Sequence, residues 1–431
     1  MSKIKAVQKI SFLWVGSLIG AGCAFFTQVI LARMLGPQAF GAFSSVLSLM
    51  SLLVPFVGFG IAQYWLKEFG KDGWNAARFV KPSLKLVLIN IVLVMSILAA
   101  WAVGGPNDHV MQAVLFIMSV FVVGQVAVEL ISGKLQLEER YGMLALWQLM
   151  PHVARFILVA IVGICFGNHF DIKMAAVLFA CVSLVVLALA INPLIIMAKG
   201  KFSLKGHGLQ GAKNRLVQCP KVKETLQGSW PFGLAAVFQL IYFQSDIVLV
   251  KYITGDDAAG YYNVAFTVMA AVLLFPGIIY QKFLLPKMHR WANYNRELFY
   301  KVYSHGNVVM LLLGMLAMIL AWMLSPVTIP YLFGNGYEKA VDILMILVLS
   351  APILFVANSV GATLVTQEHM KIKVKLMGGV ALLNVVLNLV LIPVYGAFGA
   401  AVATVVSNLV LLISYYVSAQ LWVFGATNEA K

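Results

Sequence analysis

Charged residues are scarce in this chain. They make up 11% of its 431 residues, whereas an ordinary soluble domain carries about 25%. So little charge cannot coat a water-facing surface, which excludes a secreted enzyme, a soluble nucleic-acid-binding domain and a disordered chain. Cysteine is nearly absent. Cys23, Cys165, Cys181 and Cys219 lie in apolar runs or a basic loop, without pairing or metal-ligand spacing. They read as small hydrophobes or unpaired thiols, not as a disulfide scaffold. Also missing are a GxxxxGK-S/T loop, HExxH, CxxC and a nucleophile elbow, so no motif points to ATP hydrolysis or to covalent chemistry. The seven histidines form no ligand cluster. No metal and no cofactor are expected. The first apolar run lacks a small-residue cleavage site and is expected to stay as a helix.

What the chain has instead is long apolar stretches, with hydrophobic residues at 61%. Twelve runs, roughly 11–32, 41–65, 83–103, 110–132, 144–167, 174–198, 227–250, 258–281, 303–325, 339–362, 374–394 and 397–419, approach the length of a bilayer span. They are continuously apolar, not alternating, which indicates helices and not barrel strands. The net charge of +15 then falls into place. With the N-terminus in the cytoplasm, 26 of the 31 basic residues lie in cytoplasmic segments, four (Arg33, Lys173, Lys251, Lys339) lie outside, and Arg155 lies within a run. The positive-inside rule accounts for that asymmetry without a nucleic-acid partner, and places both termini in the cytoplasm.

Residues 199–226, the longest polar stretch, divide the chain near its middle. GPQAFGAF (36–43) and GDDAAGYY (255–262) match at an offset of 219, which also pairs Phe56 and Gly58 with Phe275 and Gly277. Pro55 and Pro276 stand nearby as possible kinks, and Gln136 falls opposite Gln367 at an offset of 231. Two six-helix halves repeated on the same side of the membrane are parallel, related by an axis along its normal. The expected fold is therefore all-α: a polytopic membrane protein with twelve transmembrane helices in two parallel six-helix bundles around a central cleft. Its expected parts are an N-terminal bundle (1–198), a basic cytoplasmic linker (199–226) and a C-terminal bundle (227–431).

Ionisable groups inside spans are costly and are functional candidates by default. FILVAIVGICFG (156–167) is too short to cross alone, so its helix must start upstream and carry Arg155 toward mid-depth. Arg155 either holds a phosphate by bidentate hydrogen bonds or is structural, through an ion pair with Glu129 or by snorkelling. His152 lies one turn before it. Glu129 shares a helical face with Gln125 and lies close to headgroup water. Gln239, Tyr242 and Asp246 form a polar stripe at spacings of three and four, expected to face the bundle interior. Asp246 either carries a coupling proton, balances a cation such as Lys251, or bonds neighbouring helices. Asn263 and Thr267 give a weaker face. Arg33 and Lys251 close two outer helix ends, by snorkelling or to bind phosphate or sugar. Ser44, Ser48 and Ser51, and GAFGAAVA (396–403), read as close helix packing. Asp256 and Asp257 read as a turn.

The segments LARMLGPQAFGAF (31–43), FQSDIVLVKYITGDDAAGYY (243–262), YLFGNGYEKAVDILMIL (331–347) and LIPVYGAFGAAVATVVSNL (391–409) resemble polysaccharide flippases of the Wzx type. These belong to the multidrug/oligosaccharidyl-lipid/polysaccharide exporter superfamily. The resemblance implies translocation of undecaprenyl-diphosphate-linked oligosaccharide, an O-antigen or capsule repeat unit, across the bacterial inner membrane. It further implies alternating access, a cationic cavity and coupling to an ion gradient, of protons or sodium, or to the membrane potential. The implied partners are that lipid-linked oligosaccharide, the bilayer, a polysaccharide polymerase and a chain-length regulator. On burial reasoning Arg155, aided by Arg33 and Lys251, neutralises the diphosphate. Tyr242, Gln239 and Gln244 contact sugars, and Asp246 and Glu129 supply coupling or cavity charge. The competing functions are a cation-coupled multidrug exporter of the same fold and an integral-membrane glycosyltransferase or ligase.

Overall fold

A computed structural model describes residues 3–204, 220–274, 288, 296–364 and 370–425. Cys219, Phe275, Pro276, Gly277, Gln367 and linker residues 205–219 lie outside the described residues. All regular structure among the described residues is helical, as lipid requires: each backbone N–H must find its acceptor within its own segment. The chain is an all-α, multi-pass membrane protein.

Its helices in order are α1 (Lys3–Gly58), α2 (Ile61–Asp72), α3 (Val80–Gly104), α4 (His109–Leu137), α5 (Tyr141–Phe166), α6 (Ile172–Ala198) and α7 (Val222–Thr254). There follow α8 (Asp256–Val272), α9 (Arg296–Phe333), α10 (Glu338–Leu347), α11 (Ser350–Thr363), α12 (Met370–Tyr395) and α13 (Ala397–Ser418). Eight described helical stretches are long and apolar enough to cross a membrane, or nine when α10 and α11, bent by 47°, count as one span. The first of these stretches, Trp14–Gly104, takes in α1, α2 and α3. Within α1 the backbone breaks at Gly36 (φ 70°, ψ 173°), between the first two apolar runs. A side chain would oppose that left-handed φ. Where loops are short, side chains cap the next helix: Asp108 accepts from the Met111 N–H at 2.7 Å, and Asp171 from that of Met174 at 2.8 Å.

Contacts divide the chain into two compact units. One comprises Met1–Leu35 with Val46–Leu240, the other Gly36–Ser45 with Ile241–Lys431. In the first unit α4 packs on α5 and α6 through Ala127, Ile131, Leu144, Val182, Val186 and Ala190. A Cβ on Gly124 would lie 2.7 Å from that of Ser183, so small residues set the α4–α6 approach.

In the second unit α13 is packed by Ala397, Gly399, Ala400, Ala401 and Ala403, all buried, the packing role expected for GAFGAAVA. A Cβ on Gly399 would lie 2.4 Å from the Leu391 carbonyl of α12. The two glycines aligned by the 219-residue offset also meet here. A Cβ on Gly41 would stand 1.8 Å from the Asp256 carbonyl oxygen and 2.6 Å from the Gly260 nitrogen, and one on Gly260 would stand 2.2 Å from the Pro37 carbonyl oxygen. Large apolar side chains such as Leu88, Val92, Ile164, Met323 and Val327 point outward, the arrangement a lipid solvent selects.

Candidate functional site

Arg155 in the first unit and Asp246 in the second are buried charges carried on apolar helices. In the first unit α5 carries Arg155, 7% exposed. Its guanidinium carbon lies 4.7 Å from the ring centre of Phe121 on α4 and 5.1 Å from that of Phe179 on α6. Those two rings stand 6.5 Å apart, tilted by 34°. The arginine is thus held against two aromatic rings, each worth about 0.5–2 kcal/mol. That is less than the several kcal/mol per ion lost on leaving water. No carboxylate among the described residues forms a salt bridge with it, and its Nε has no hydrogen-bond partner there. The chemistry such a group offers is a planar donor edge for a doubly charged oxygen acceptor.

Glu129, the partner considered for Arg155, is exposed in the chain. Its Oε2 lies 3.0 Å from where a Cβ on Gly58 would stand. The ring of His152 lies beside Gly20 of α1, its Cδ2 3.6 Å from a Cβ placed there. Arg33 is exposed near the break in α1.

The second unit buries Asp246 of α7 at 2% exposure. Its Oδ2 accepts from the Tyr262 hydroxyl at 2.7 Å and from Thr404 Oγ1 at 2.5 Å. Its Oδ1 accepts from Asn388 Nδ2 at 2.6 Å. A second layer closes around these bonds. Asn388 Nδ2 also donates to Asn384 Oδ1 at 3.1 Å, and Ser245 Oγ donates to the same oxygen at 3.4 Å. Tyr242 donates to Asn408 Oδ1, and Asn408 Nδ2 donates to Ser350 Oγ at 2.8 Å. Three donors compensate the carboxylate's lost water, since hydrogen bonds to a charge are worth about 1.5–3 kcal/mol each. Two amide atoms are left over: Asn388 Oδ1 and Asn384 Nδ2 are buried without a partner.

The stripe anticipated from spacing divides accordingly. Tyr242 and Asp246 enter this network, Gln244 is half-buried and Gln239 is exposed. The Tyr242 hydroxyl is occupied by Asn408. Lys251 turns to Asp256, with Nζ 3.2 Å from Oδ1, and its side chain is 9% exposed. The pair ties the end of α7 to the start of α8 and accounts for Asp256 at that turn.

Tyr262, Asn384, Asn388, Thr404, Asn408 and Ser350 are additional to the residues picked out by sequence. Asn384 with Asn388, and Thr404 with Asn408, stand four apart in apolar helices, a one-face polar signal comparable with Tyr242 and Asp246. On α8 the weaker face anticipated from Asn263 gives way to its neighbour: Tyr262 reaches the carboxylate, while Asn263 Nδ2 is buried without a partner.

A family described as "Polysaccharide biosynthesis protein" matches residues 6–292. The capsular polysaccharide biosynthesis protein CapF of Staphylococcus aureus is 20% identical over 413 residues, covering 95% of this chain and 98% of its own. The probable low-salt glycan biosynthesis flippase Agl15 of Haloferax volcanii is 22% identical over 413 residues, covering 94% and 82%. Among solved structures, the lipid II flippase MurJ in an inward closed conformation superposes with a TM-score of 0.73 over 95% of this chain and 87% of its own. At 14% identity, that likeness establishes a shared fold.

Proposed function

The chain belongs to the polysaccharide biosynthesis protein family, and from that premise we propose that it translocates an undecaprenyl-diphosphate-linked oligosaccharide across the bacterial inner membrane. In this reading twelve helices cross the bilayer as two parallel six-helix halves, with both termini cytoplasmic, and alternating access moves the cargo without breaking a covalent bond. The observation that carries it is Arg155: a cation buried in a membrane helix, steadied by two rings and facing no carboxylate among the described residues. Such a group is costly to keep unless an anion visits it, and a diphosphate matches its paired donors. Aromatic walls hold the guanidinium without neutralising it, so the charge stays available.

Asp246 supplies the energy coupling. Among the described residues its direct partners are the Tyr262 and Thr404 hydroxyls and the Asn388 amide, with the Asn384 carbonyl oxygen one hydrogen bond further out. Hard oxygen donors with a single negative charge suit sodium or a proton better than a divalent or soft metal. Rotation of the hydroxyls and of the Asn388 amide would turn donors into acceptors as the ion arrives. A multidrug exporter would need its carboxylate open to a bulky organic cation, and at 2% exposure Asp246 is closed to one.

The test is reconstitution into vesicles containing a fluorescent lipid-linked oligosaccharide. Movement of label between leaflets with the lipid–sugar linkage intact is the expected result. Sugar transfer, bond cleavage or an immobile label would overturn it.

A further inference from the structure

The buried carboxylate poses a question of access. Asp246, Tyr262, Asn384 and Asn388 are each 2% exposed or less, so an ion has no way in past them. Of the residues that bond Asp246 directly, Thr404 alone is only half-buried. Its hydroxyl bonds Asp246 Oδ2 at 2.5 Å and lies 3.1 Å from that of Tyr262. The same residue lines a narrow cavity.

Two sides of that cavity differ in chemistry. Tyr242, Asn408 and Ser350, joined by hydrogen bonds, give it a polar strip that ends beside Thr404. Phe266 and Leu354 give it apolar walls. Its interior has room for about one or two waters. A small ion could keep about one or two waters there, and an oligosaccharide has no room.

We propose that this cavity is the entry path of the coupling cation, with the Thr404 hydroxyl as its last ligand before the carboxylate. The inference rests on Asp246 being the coupling site and adds the route to it. The ion sheds water along the Tyr242–Asn408–Ser350 strip, exchanging each lost water for a protein oxygen. It reaches Asp246 when the Thr404 hydroxyl swings from the carboxylate to the Ala400 carbonyl, 2.9 Å away. Phe266 and Leu354 exclude further water and so confine the path to one polar edge.

Two measurements test it in vesicles. In the first, a sodium or pH gradient drives translocation by wild type, Leu354→Trp, Leu354→Ala and Asp246→Asn. Filling the cavity in Leu354→Trp should slow the ion-driven component, and more than opening it in Leu354→Ala does. In the second, Ser350→Cys is placed in a background with all four native cysteines replaced by serine. A cationic methanethiosulfonate reagent should modify it about tenfold faster than an anionic one, as expected where a carboxylate focuses cations, and the modification should block ion-driven movement. Persistence of the ion response in Asp246→Asn would sink the coupling reading itself. If Asp246→Asn loses that response while Leu354→Trp keeps the wild-type rate, the route is wrong and the coupling site stands. A Ser350→Cys thiol that stays unmodified, or reacts equally with both reagents, also overturns the route, even should the tryptophan variant fail to fold.

Discussion

Arg155 in the first unit and Asp246 in the second are buried almost equally, at 7% and 2% exposure, yet their surroundings share little. The arginine lies between two phenylalanine rings, which attract a cation without donating or accepting a hydrogen bond. The aspartate accepts three hydrogen bonds from hydroxyl and amide groups, themselves braced by further polar side chains. The first environment leaves a charge under-compensated, so an anionic ligand gains by arriving. In the second, the compensation itself can be exchanged for an ion. Similar depth therefore need not mean similar work: in the proposed function the surroundings assign cargo recognition to Arg155 and the switch to Asp246.

The sharpest way to break this contrast is to remove each charge. Arg155→Ala is expected to lower translocation by the equivalent of about 2–5 kcal/mol, the usual cost of deleting one partner of a buried charge-assisted contact. Initial rates in vesicles check it, with protein incorporation as the control. Asp246→Asn is expected to leave translocation at the rate seen without a gradient and to abolish its response to one. A parallel series at varied sodium and pH reads that loss.

Conservative changes then sharpen the comparison. Arg155→Lys keeps the charge and loses the planar fork, so activity should fall about tenfold if bidentate geometry matters. Tyr262→Phe removes one donor to the carboxylate, about 1.5–3 kcal/mol of interaction, and should change the ion concentration at half-maximal rate while sparing cargo affinity. The smallest effect is expected from Phe179→Leu, which removes one ring face, about 0.5–2 kcal/mol. It should weaken binding of the lipid-linked cargo and leave the ion response unchanged.

Much of this was legible in the sequence, and for identifiable reasons. The helices follow from continuous apolar runs, which in lipid admit few alternatives. Asp246 and Tyr242 declared themselves by standing one turn apart in an apolar helix. Asn388 and Thr404 carry the same spacing signal, but their meeting with Asp246 was hidden, because Thr404 lies 158 residues away from Asp246 and Asn388 lies 142 away; spacing within one helix says nothing about which helices meet. The rings around Arg155 were equally hidden among 27 phenylalanines. Lys251 shows the converse: its position at a helix end left snorkelling and phosphate or sugar binding both open, and spacing did not show that the adjacent turn supplies Asp256 as its partner. The 219-residue offset carried more than a topological hint, since it aligns Gly41 with Gly260, whose backbones meet closely in the second unit.

The division of labour between Arg155 and Asp246 is tested most directly by one comparison: initial rates of lipid-linked oligosaccharide movement for wild type, Arg155→Ala and Asp246→Asn, each with and without an ion gradient. The account predicts that Arg155→Ala is slow under both conditions and that Asp246→Asn moves cargo at one rate regardless of gradient. If the two variants lose the same property, whether both cargo movement or both ion response alone, the assignment of separate tasks to the two charges is contradicted.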